Sequence, residues 1–180
     1  MLLTYCSNVH PLDGWDALQR ALAGYVPAIR AAISPKQPFP LGLWLSEAAL
    51  TEAERQGTAA FQEWCTAAGC FVLGFNGFPY GAFHAGRVKE QVYLPDWRSP
   101  ARTEYTCRLA TLLDRLLPSG MPGSITTVPL GWGPRLSGAD LPQLRSQLVV
   151  VLEWLDQLRQ ASGKTIRLAL EPEPGCLLET

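Results

Sequence analysis

The sequence is poor in charged residues, in histidine and in long apolar runs. Only 17% of its 180 residues are charged and the formal net charge is -1, so it lacks the basic surface that is typical of nucleic-acid-binding proteins. It contains two histidines, too few for a histidine-rich metal cluster. No run approaches 18 consecutive apolar residues, which predicts that the chain does not insert into a membrane.

The cysteines are too few and too scattered to predict a disulfide framework or a zinc site. There are five, an odd number, and no C-x-x-C pair, which favours reduced thiols in a cytoplasmic protein. Cys65 and Cys107 fall within predicted helices, where we expect them to be packing residues. Residues 1–8 have neither the basic segment nor the long apolar segment of a signal peptide. We therefore expect a cytoplasmic location.

What the sequence does contain is a regular alternation of strand-like and helix-like segments. A hydrophobic content of 47% over 180 residues is sufficient for one domain with a core. Strict alternation of strands and helices predicts a parallel sheet with right-handed crossovers. Short apolar runs predict five strands, near residues 2–6, 40–45, 70–75, 124–130 and 164–170.

Helical periodicity and capping residues predict the segments between these strands. The first helix covers about residues 14–33, with a buried stripe that extends to Ile33. The second begins at Ser46 or Thr51 and ends at Gly69, a residue type that commonly stops a helix. Two more helices precede the fourth and fifth strands.

Two architectures fit this pattern. One is a complete five-stranded doubly wound sheet, and the other is the first five βα units of a TIM (β/α)8 barrel. Doubly wound nucleotide binders usually have a glycine-rich turn after the first strand, and residues 6–10 contain no glycine. A barrel needs about 250 residues, so the barrel interpretation implies one domain, 1–180, truncated on its C-terminal side. We favour the α/β barrel, with strands in the order 1-2-3-4-5.

Two carboxylates follow the fifth predicted strand. Glu171 and Glu173 alternate with prolines, which predicts an extended exit from the strand. The C-terminal end of a buried parallel strand is where α/β proteins place catalytic groups, and carboxylate oxygens suit Mg²⁺ or Mn²⁺. Glu171 directly follows Leu170, where an unpartnered charge would be costly. Glu171 is therefore the candidate metal ligand and Glu173 the weaker alternative. The alternative without a functional role is that both are solvated loop carboxylates.

Six other side chains lie at or after predicted strand ends, and they are candidates for substrate binding. Amides bond hydroxyl groups, histidines bind ligands or move protons, and indole rings stack on a sugar ring or cover an apolar tail. Each has a structural alternative, since Asn-Gly at residues 76–77 is a turn signal on its own, loop histidines are often solvated, and the aromatic residues of loop 76–97 could form a small core. The six candidates are Asn8, His10, Trp44, Asn76, His84 and Trp132.

Four segments carry a resemblance to a known family. They are residues 3–10, 76–81, 88–97 and 168–175, which read LTYCSNVH, NGFPYG, VKEQVYLPDW and LALEPEPG. Together they resemble the "metabolite traffic protein" EboE family, itself similar to xylose-isomerase-like sugar phosphate isomerases and epimerases. The resemblance runs across all 180 residues and corresponds to the N-terminal portion of the family's longer chain.

The resemblance implies a TIM barrel with a divalent metal, Mg, Mn or Zn, held by carboxylates and histidines at the strand ends. Only Glu171 matches a ligand position, and the other ligands are expected beyond Thr180, so we expect this chain alone to bind a divalent metal weakly or not at all. The implied function is that of a sugar-isomerase/epimerase-like enzyme in a bacterial pathway that makes and moves a small, prenyl-linked metabolite, with other proteins of that pathway as partners. The alternative is a non-catalytic binding or hand-over module on a degenerate barrel.

Overall fold

The computed structural model describes residues 3–12, 14–81 and 89–179. Strands and helices alternate along them, as the apolar runs predict. The strands are β1 (Tyr5–Cys6), β2 (Phe39–Trp44), β3 (Cys70–Asn76), β4 (Gly123–Thr127) and β5 (Ile166–Leu170). The α-helices of the described residues are α1 (Trp15–Ile33), α2 (Glu47–Gln56), α3 (Ala59–Ala68), α4 (Pro100–Leu116) and α5 (Leu141–Ser162).

The five strands form one parallel sheet in the order β1-β2-β3-β4-β5. This confirms the predicted order, and it differs from the order 2-1-3-4-5 that would favour the doubly wound alternative. When consecutive parallel strands lie side by side, right-handed crossovers put every helix on the same side of the sheet. Accordingly, all five helices contribute to one hydrophobic core against one face. The other face carries no helix from the described residues.

The strand β5 shows how this one-sided packing follows from the sequence. Ile166 and Leu168 belong to the hydrophobic core or pack against it, whereas Arg167 and Ala169 are exposed. Side chains on a strand alternate between the two faces, so only alternate positions here need to be apolar. The fifth strand, expected to be buried in the sheet, is therefore covered on one face. Glu171, the next residue after β5, falls in step with the exposed positions.

A β-bulge in β3 changes which residues face the core. Val72 and Gly74 pair with consecutive residues of β2, so Leu73 between them is the extra residue of the bulge. Val72 lies in the core before the bulge and Phe75 lies in the core after it. The bulge therefore shifts the alternation by one residue and turns Asn76 toward the open face.

One of the predicted helices is in fact two. The Ser46 side chain accepts a hydrogen bond from the backbone N–H of Ala49 at 3.1 Å, which confirms it as the start of α2. The chain then leaves the helix at Gly57, where φ is +79°, a conformation that favours glycine. The helix α3 ends at Gly69 in the left-handed conformation, as predicted. The prediction of a single helix from Ser46 to Gly69 is therefore wrong, because the helix is interrupted at residues 57–58.

The fourth strand is shorter than predicted. It ends at Thr127 rather than near residue 130. The backbone N–H groups of Leu130 and Gly131 bond back to the carbonyl oxygens of Val128 and Pro129, and Leu130 has φ of +68°. These tight turns start the loop that follows β4 while the chain is still apolar, so hydrophobicity alone overestimates the strand.

The helices are amphipathic. In α1, Leu18, Leu22 and Val26 are buried, whereas Ile33, expected in the same stripe, is 51% exposed at the last helical position. In residues 3–12, 14–81 and 89–179, every helix falls short of the length or the apolar character that a bilayer crossing requires.

Candidate functional site

A cavity of about 310 Å³ lies on the open face of the sheet, toward the C-terminal ends of the strands. Four strands contribute to its wall directly, and the residue that follows β5 completes it. Gly42 and Gly74 both line the cavity, and because neither has a side chain, the space in front of them stays open. The residues that line the cavity are Thr4, Cys6, Gly42, Leu73, Gly74, Phe75, Asn76, Ser124, Thr126 and Glu171.

The polar part of the wall consists of hydroxyl, amide and carboxylate groups. Ser124 and Thr126 come from β4, Asn76 from the end of β3 and Glu171 from the residue after β5. Thr126 Oγ1 is buried and has no hydrogen-bond partner in the part of the chain that the structure describes. Such groups donate to and accept from hydroxyl groups. The wall is therefore chemically suited to a small polyhydroxylated ligand.

The backbone fixes Glu171 at the rim of the cavity. Its N–H donates to the carbonyl oxygen of Thr127 at 3.0 Å, which extends the β4–β5 pairing one residue beyond β5. Of the described residues that line the cavity, Glu171 is the one with a carboxylate. No three His, Cys, Asp or Glu side chains come together to hold a metal ion in residues 3–12, 14–81 and 89–179. One carboxylate does not fit the six or more oxygen ligands of Mg²⁺ or Ca²⁺, so the described residues do not make a metal site by themselves.

Glu173 lies away from this cavity. Its backbone N–H donates to the carbonyl oxygen of Leu178 at 3.1 Å, within the loop that follows β5. Burial, together with the nearby Cys176 thiol and the Glu173 carboxylate, raises the pKa of Tyr93 to about 12. Glu173 therefore affects the pKa of Tyr93 and is not one of the residues that line the cavity.

The two asparagines have different positions. Asn76 lines the cavity, and its Oδ1 also accepts a hydrogen bond from the backbone N–H of Phe78 at 2.9 Å. Asn76 therefore makes the turn that the Asn-Gly pair predicts while it remains part of the wall. Asn8 lies in a short 3-10 helix after β1, and its Oδ1 accepts from the thiol of Cys6 at 3.2 Å. Asn8 is not one of the residues that line the cavity, although Cys6 is.

The two tryptophans of the predicted site, Trp44 and Trp132, lie at the same edge of the sheet but contact protein groups. The indole N–H of Trp44 donates to the carbonyl oxygen of Pro79 at 3.0 Å, and the residue is 4% exposed. Trp132 stacks on Tyr93 with the ring centroids 5.5 Å apart, and Tyr93 stacks on Phe78 at 5.6 Å. This row of rings corresponds to the alternative in which the loop aromatics pack on one another.

The histidines are not brought together at the cavity. His10 lies on the helix side of β1, where its ring stacks on Tyr25 of α1 with the centroids 4.4 Å apart and its Nε2 contacts the hydroxyl of Tyr5. It is not one of the residues that line the cavity. His84 falls outside the described residues.

A buried arginine holds the loops at this edge. Arg102 of α4 is fully buried, and it donates from Nε to the carbonyl oxygen of Pro95 at 2.8 Å and from Nη1 to that of Gly77 at 2.6 Å. The rings of Tyr80 and Tyr105 lie 5.7 and 5.6 Å from its guanidinium carbon. Burial lowers the pKa of Arg102 to about 10. Arg102 therefore ties the segment after β3 to the segment that precedes α4.

A second arginine fixes the same segment to the loop after β4. Arg98 forms an ion pair with Asp96 at 2.7 Å and donates from Nη1 to the carbonyl oxygen of Arg135 at 2.8 Å. The bond to Asp96, which is 4% exposed, raises the pKa of Arg98. Nothing in the local sequence distinguishes Arg98 and Arg102 from solvated arginines, so sequence analysis missed them.

The hydroxyl groups of β4 are a second part of the site that was not predicted. Ser124 and Thr126 flank Ile125, which lies in the core, so this polar–apolar–polar pattern could have indicated two side chains on the open face. Of the predicted site residues, Asn76 and Glu171 line the cavity. The chain matches no protein-family model, no curated protein and no solved structure.

Proposed function

We propose that the chain contributes five βα units to a TIM-type barrel whose mouth binds a small polyhydroxylated metabolite, and that its function is sugar-isomerase/epimerase-like. The sequential order of the strands supports the barrel, since it leaves one face of the sheet without helices. In a closed (β/α)8 barrel this face becomes the interior, and the active site lies at the C-terminal ends of the strands.

The side of the sheet next to β5 also supports a barrel. The strand β5 is at an edge of the sheet, and the neighbouring helix α5 has apolar side chains in solvent. Leu152 is 54% exposed and Val149 is 41% exposed. Exposed apolar side chains beside an open strand edge are unfavourable. A further strand and helix packed here would cover both the edge and these side chains.

The observation that carries the proposed function is the composition of the cavity wall. Glu171, Asn76, Ser124 and Thr126 place one carboxylate, one amide and two hydroxyl groups around a space of about 310 Å³, the lower end of the size range of small-molecule sites. In this proposal they bind the hydroxyl groups of the metabolite. The prenyl-linked character of that metabolite and its bacterial pathway follow from the family resemblance alone.

The proposal includes a divalent metal only for a longer chain, which would supply the other metal ligands. Glu171 would be its one ligand from the described residues, and the resemblance implies that the other ligands lie beyond Thr180. When bound, such an ion polarises adjacent carbonyl and hydroxyl oxygens of a substrate. We assign no reaction step to Glu171, because the described residues do not complete this site.

Isothermal titration calorimetry of the chain with a panel of sugar phosphates and cyclitols, with and without Mn²⁺, tests the proposal. The decisive variant is Glu171→Gln, and Glu173→Gln is its matched control because it makes the same change two residues away and outside the cavity. A hydrogen bond to a charged group contributes about 1.5–3 kcal/mol, which corresponds to roughly a tenfold to hundredfold weaker Kd. We expect that loss for Glu171→Gln and an unchanged Kd for Glu173→Gln.

Two other outcomes have a clear meaning. One outcome is that Glu171→Gln abolishes binding but no sugar phosphate or cyclitol is converted to a product, even by a longer chain that contains the remaining metal ligands. This outcome would favour the hand-over module. Equal binding by both variants would show that the ligand does not use this cavity, and the proposal would then be wrong.

A further inference from the structure

Two cysteines meet at the opposite end of β3. The helix α3 ends at Ala68, Gly69 turns the chain in the left-handed conformation, and β3 begins at Cys70. The backbone N–H of Gly69 donates to the carbonyl oxygen of Cys65, which brings the last turn of the helix against the start of the strand. Cys65 and Cys70 are 7% and 6% exposed, and each affects the pKa of the other thiol. Cys65 and Cys70, which lie on either side of the turn at Gly69, thus form a buried pair of thiols.

A second cavity borders one of the two cysteines. It has a volume of about 540 Å³ and lies at the N-terminal ends of β2 and β3, at the opposite edge of the sheet from Glu171. Cys70 is part of its wall, together with apolar residues such as Phe71 and Met121, whereas Cys65 is not. A small molecule in this cavity would therefore meet Cys70 first.

A cation lies beside the pair. The guanidinium of Arg30 packs against Gly69, so close that a Cβ at Gly69 would lie 2.7 Å from Arg30 Cζ. Arg30 Nε is buried and without a hydrogen-bond partner among the described residues. The neighbouring Cys65 thiol, and then the Arg30 cation, lower the pKa of Cys70 against the opposing effect of burial, whereas Cys70 and burial raise the pKa of Cys65. The thiolate, which is the reactive form of cysteine, is therefore favoured at Cys70.

We propose that Cys70 and Cys65 form a redox-reactive dithiol that reduces small disulfides entering the cavity at the N-terminal edge of the sheet. The Cys70 thiolate attacks one sulfur of the small disulfide, whose S–S bond breaks and releases one thiolate that takes up a proton. Cys65 then loses its proton and attacks Cys70 Sγ, which breaks the mixed disulfide and releases the second small thiol. Two protein thiols are oxidised to one disulfide, and one small disulfide is reduced to two thiols.

Peptide mapping of the whole chain tests this step directly. No lysine or arginine lies between Arg55 and Arg87, so trypsin releases both cysteines in one peptide, residues 56–87. The chain is treated with 2-hydroxyethyl disulfide, a small neutral probe suited to an apolar cavity, and then alkylated in denaturant. We expect this peptide to lose two hydrogen atoms and to resist alkylation, so that both of its cysteines disappear from the count of alkylated thiols.

Single variants assign the order of attack. In Cys65→Ser the mixed disulfide should accumulate on Cys70, because the resolving thiol is absent. In Cys70→Ser, Cys65 should react at least about tenfold more slowly, because it is not on the cavity wall and its thiol is not activated. Cys107→Ser is the matched control and should leave the oxidised peptide unchanged.

The proposal is overturned if peptide 56–87 of the unmodified sequence still takes up two alkyl groups after treatment, while the exposed thiol of Cys6 has reacted. This outcome does not depend on whether any variant folds. Disulfides that join Cys6 to another chain appear as a different peptide and as a dimer on a non-reducing gel, and they would count against the proposal. Reversal by dithiothreitol should restore all five thiols.

Discussion

Replacing Gly74 with alanine should destabilise the chain, because Gly74 lies where β3 approaches β4 most tightly. A Cβ at this position would lie 3.0 Å from Ser124 Oγ and closer still to the Ser124 carbonyl oxygen. Gly74 and Ser124 are paired in the sheet, so the carbonyl cannot move without a shift of the strand. The added methyl group therefore separates β3 from β4 at the wall of the cavity.

The magnitude follows from the type of contact. Overpacking of a well-packed region costs about 1–3 kcal/mol, and a contact with strand backbone places Gly74→Ala in the upper part of that range. The matched control is Gly24→Ala in α1, where a Cβ would meet nothing within 4 Å. Alanine is favoured over glycine inside a helix by about 0.5–1 kcal/mol, so the same methyl group should stabilise the chain there.

Urea unfolding followed by tryptophan fluorescence measures both changes. We expect the midpoint to fall for Gly74→Ala and to rise for Gly24→Ala, with the slope m unchanged, since the surface exposed on unfolding is the same. An unchanged midpoint for Gly74→Ala beside a raised one for Gly24→Ala would show that β3 and β4 are not as close as described. A lowered midpoint for Gly24→Ala would refute the open surroundings of α1.

Two further predictions concern buried hydroxyl groups. Thr127 Oγ1 is buried with no partner among the described residues, so Thr127→Val should raise the free energy of unfolding by about 1 kcal/mol; a lower urea midpoint would reveal a partner. Burial raises the pKa of Tyr105, so the unfolded chain loses this proton first, near pH 10, and stability falls as the pH rises further. Arg102 acts in the opposite direction, because burial lowers its pKa to about 10. Urea curves at about pH 9 and 11 should therefore show a smaller fall for Tyr105→Phe than for the unmodified chain.

The strand order and the sheet edge at which Asn76 and Glu171 lie could be predicted from the sequence because they depend on local patterns. Apolar runs separated by amphipathic segments specify a βα alternation, and the crossover rule then leaves few topologies. The carboxyl ends of parallel strands share one edge of a sheet, so the positions of Glu171 and Asn76 after apolar runs are sufficient to assign both residues to that edge. The start of α2 at Ser46 is equally local, since one hydroxyl bonds one backbone N–H.

The contribution of β3 to the cavity wall could not be predicted because it depends on one inserted residue. Simple alternation along β3 would put Val72, Gly74 and Asn76 on the same face. The bulge at Leu73 breaks this rule, so Phe75 enters the core and Asn76 joins the wall. Nothing in the local sequence indicates the bulge, because it arises from the pairing of β3 with β2.

The two sites should act independently, although β3 runs through both. Cys70 begins the strand and Asn76 ends it, and six steps of about 3.3 Å separate them by roughly 20 Å. Substitutions more than about 10 Å apart with no shared partner usually have additive effects. Glu171→Gln should therefore leave the oxidation of peptide 56–87 unchanged, and Cys70→Ser should leave metabolite binding unchanged. The bulge at Leu73 is the one element of β3 that both sites could share, so coupling between them would have to pass through this irregular pairing with β2.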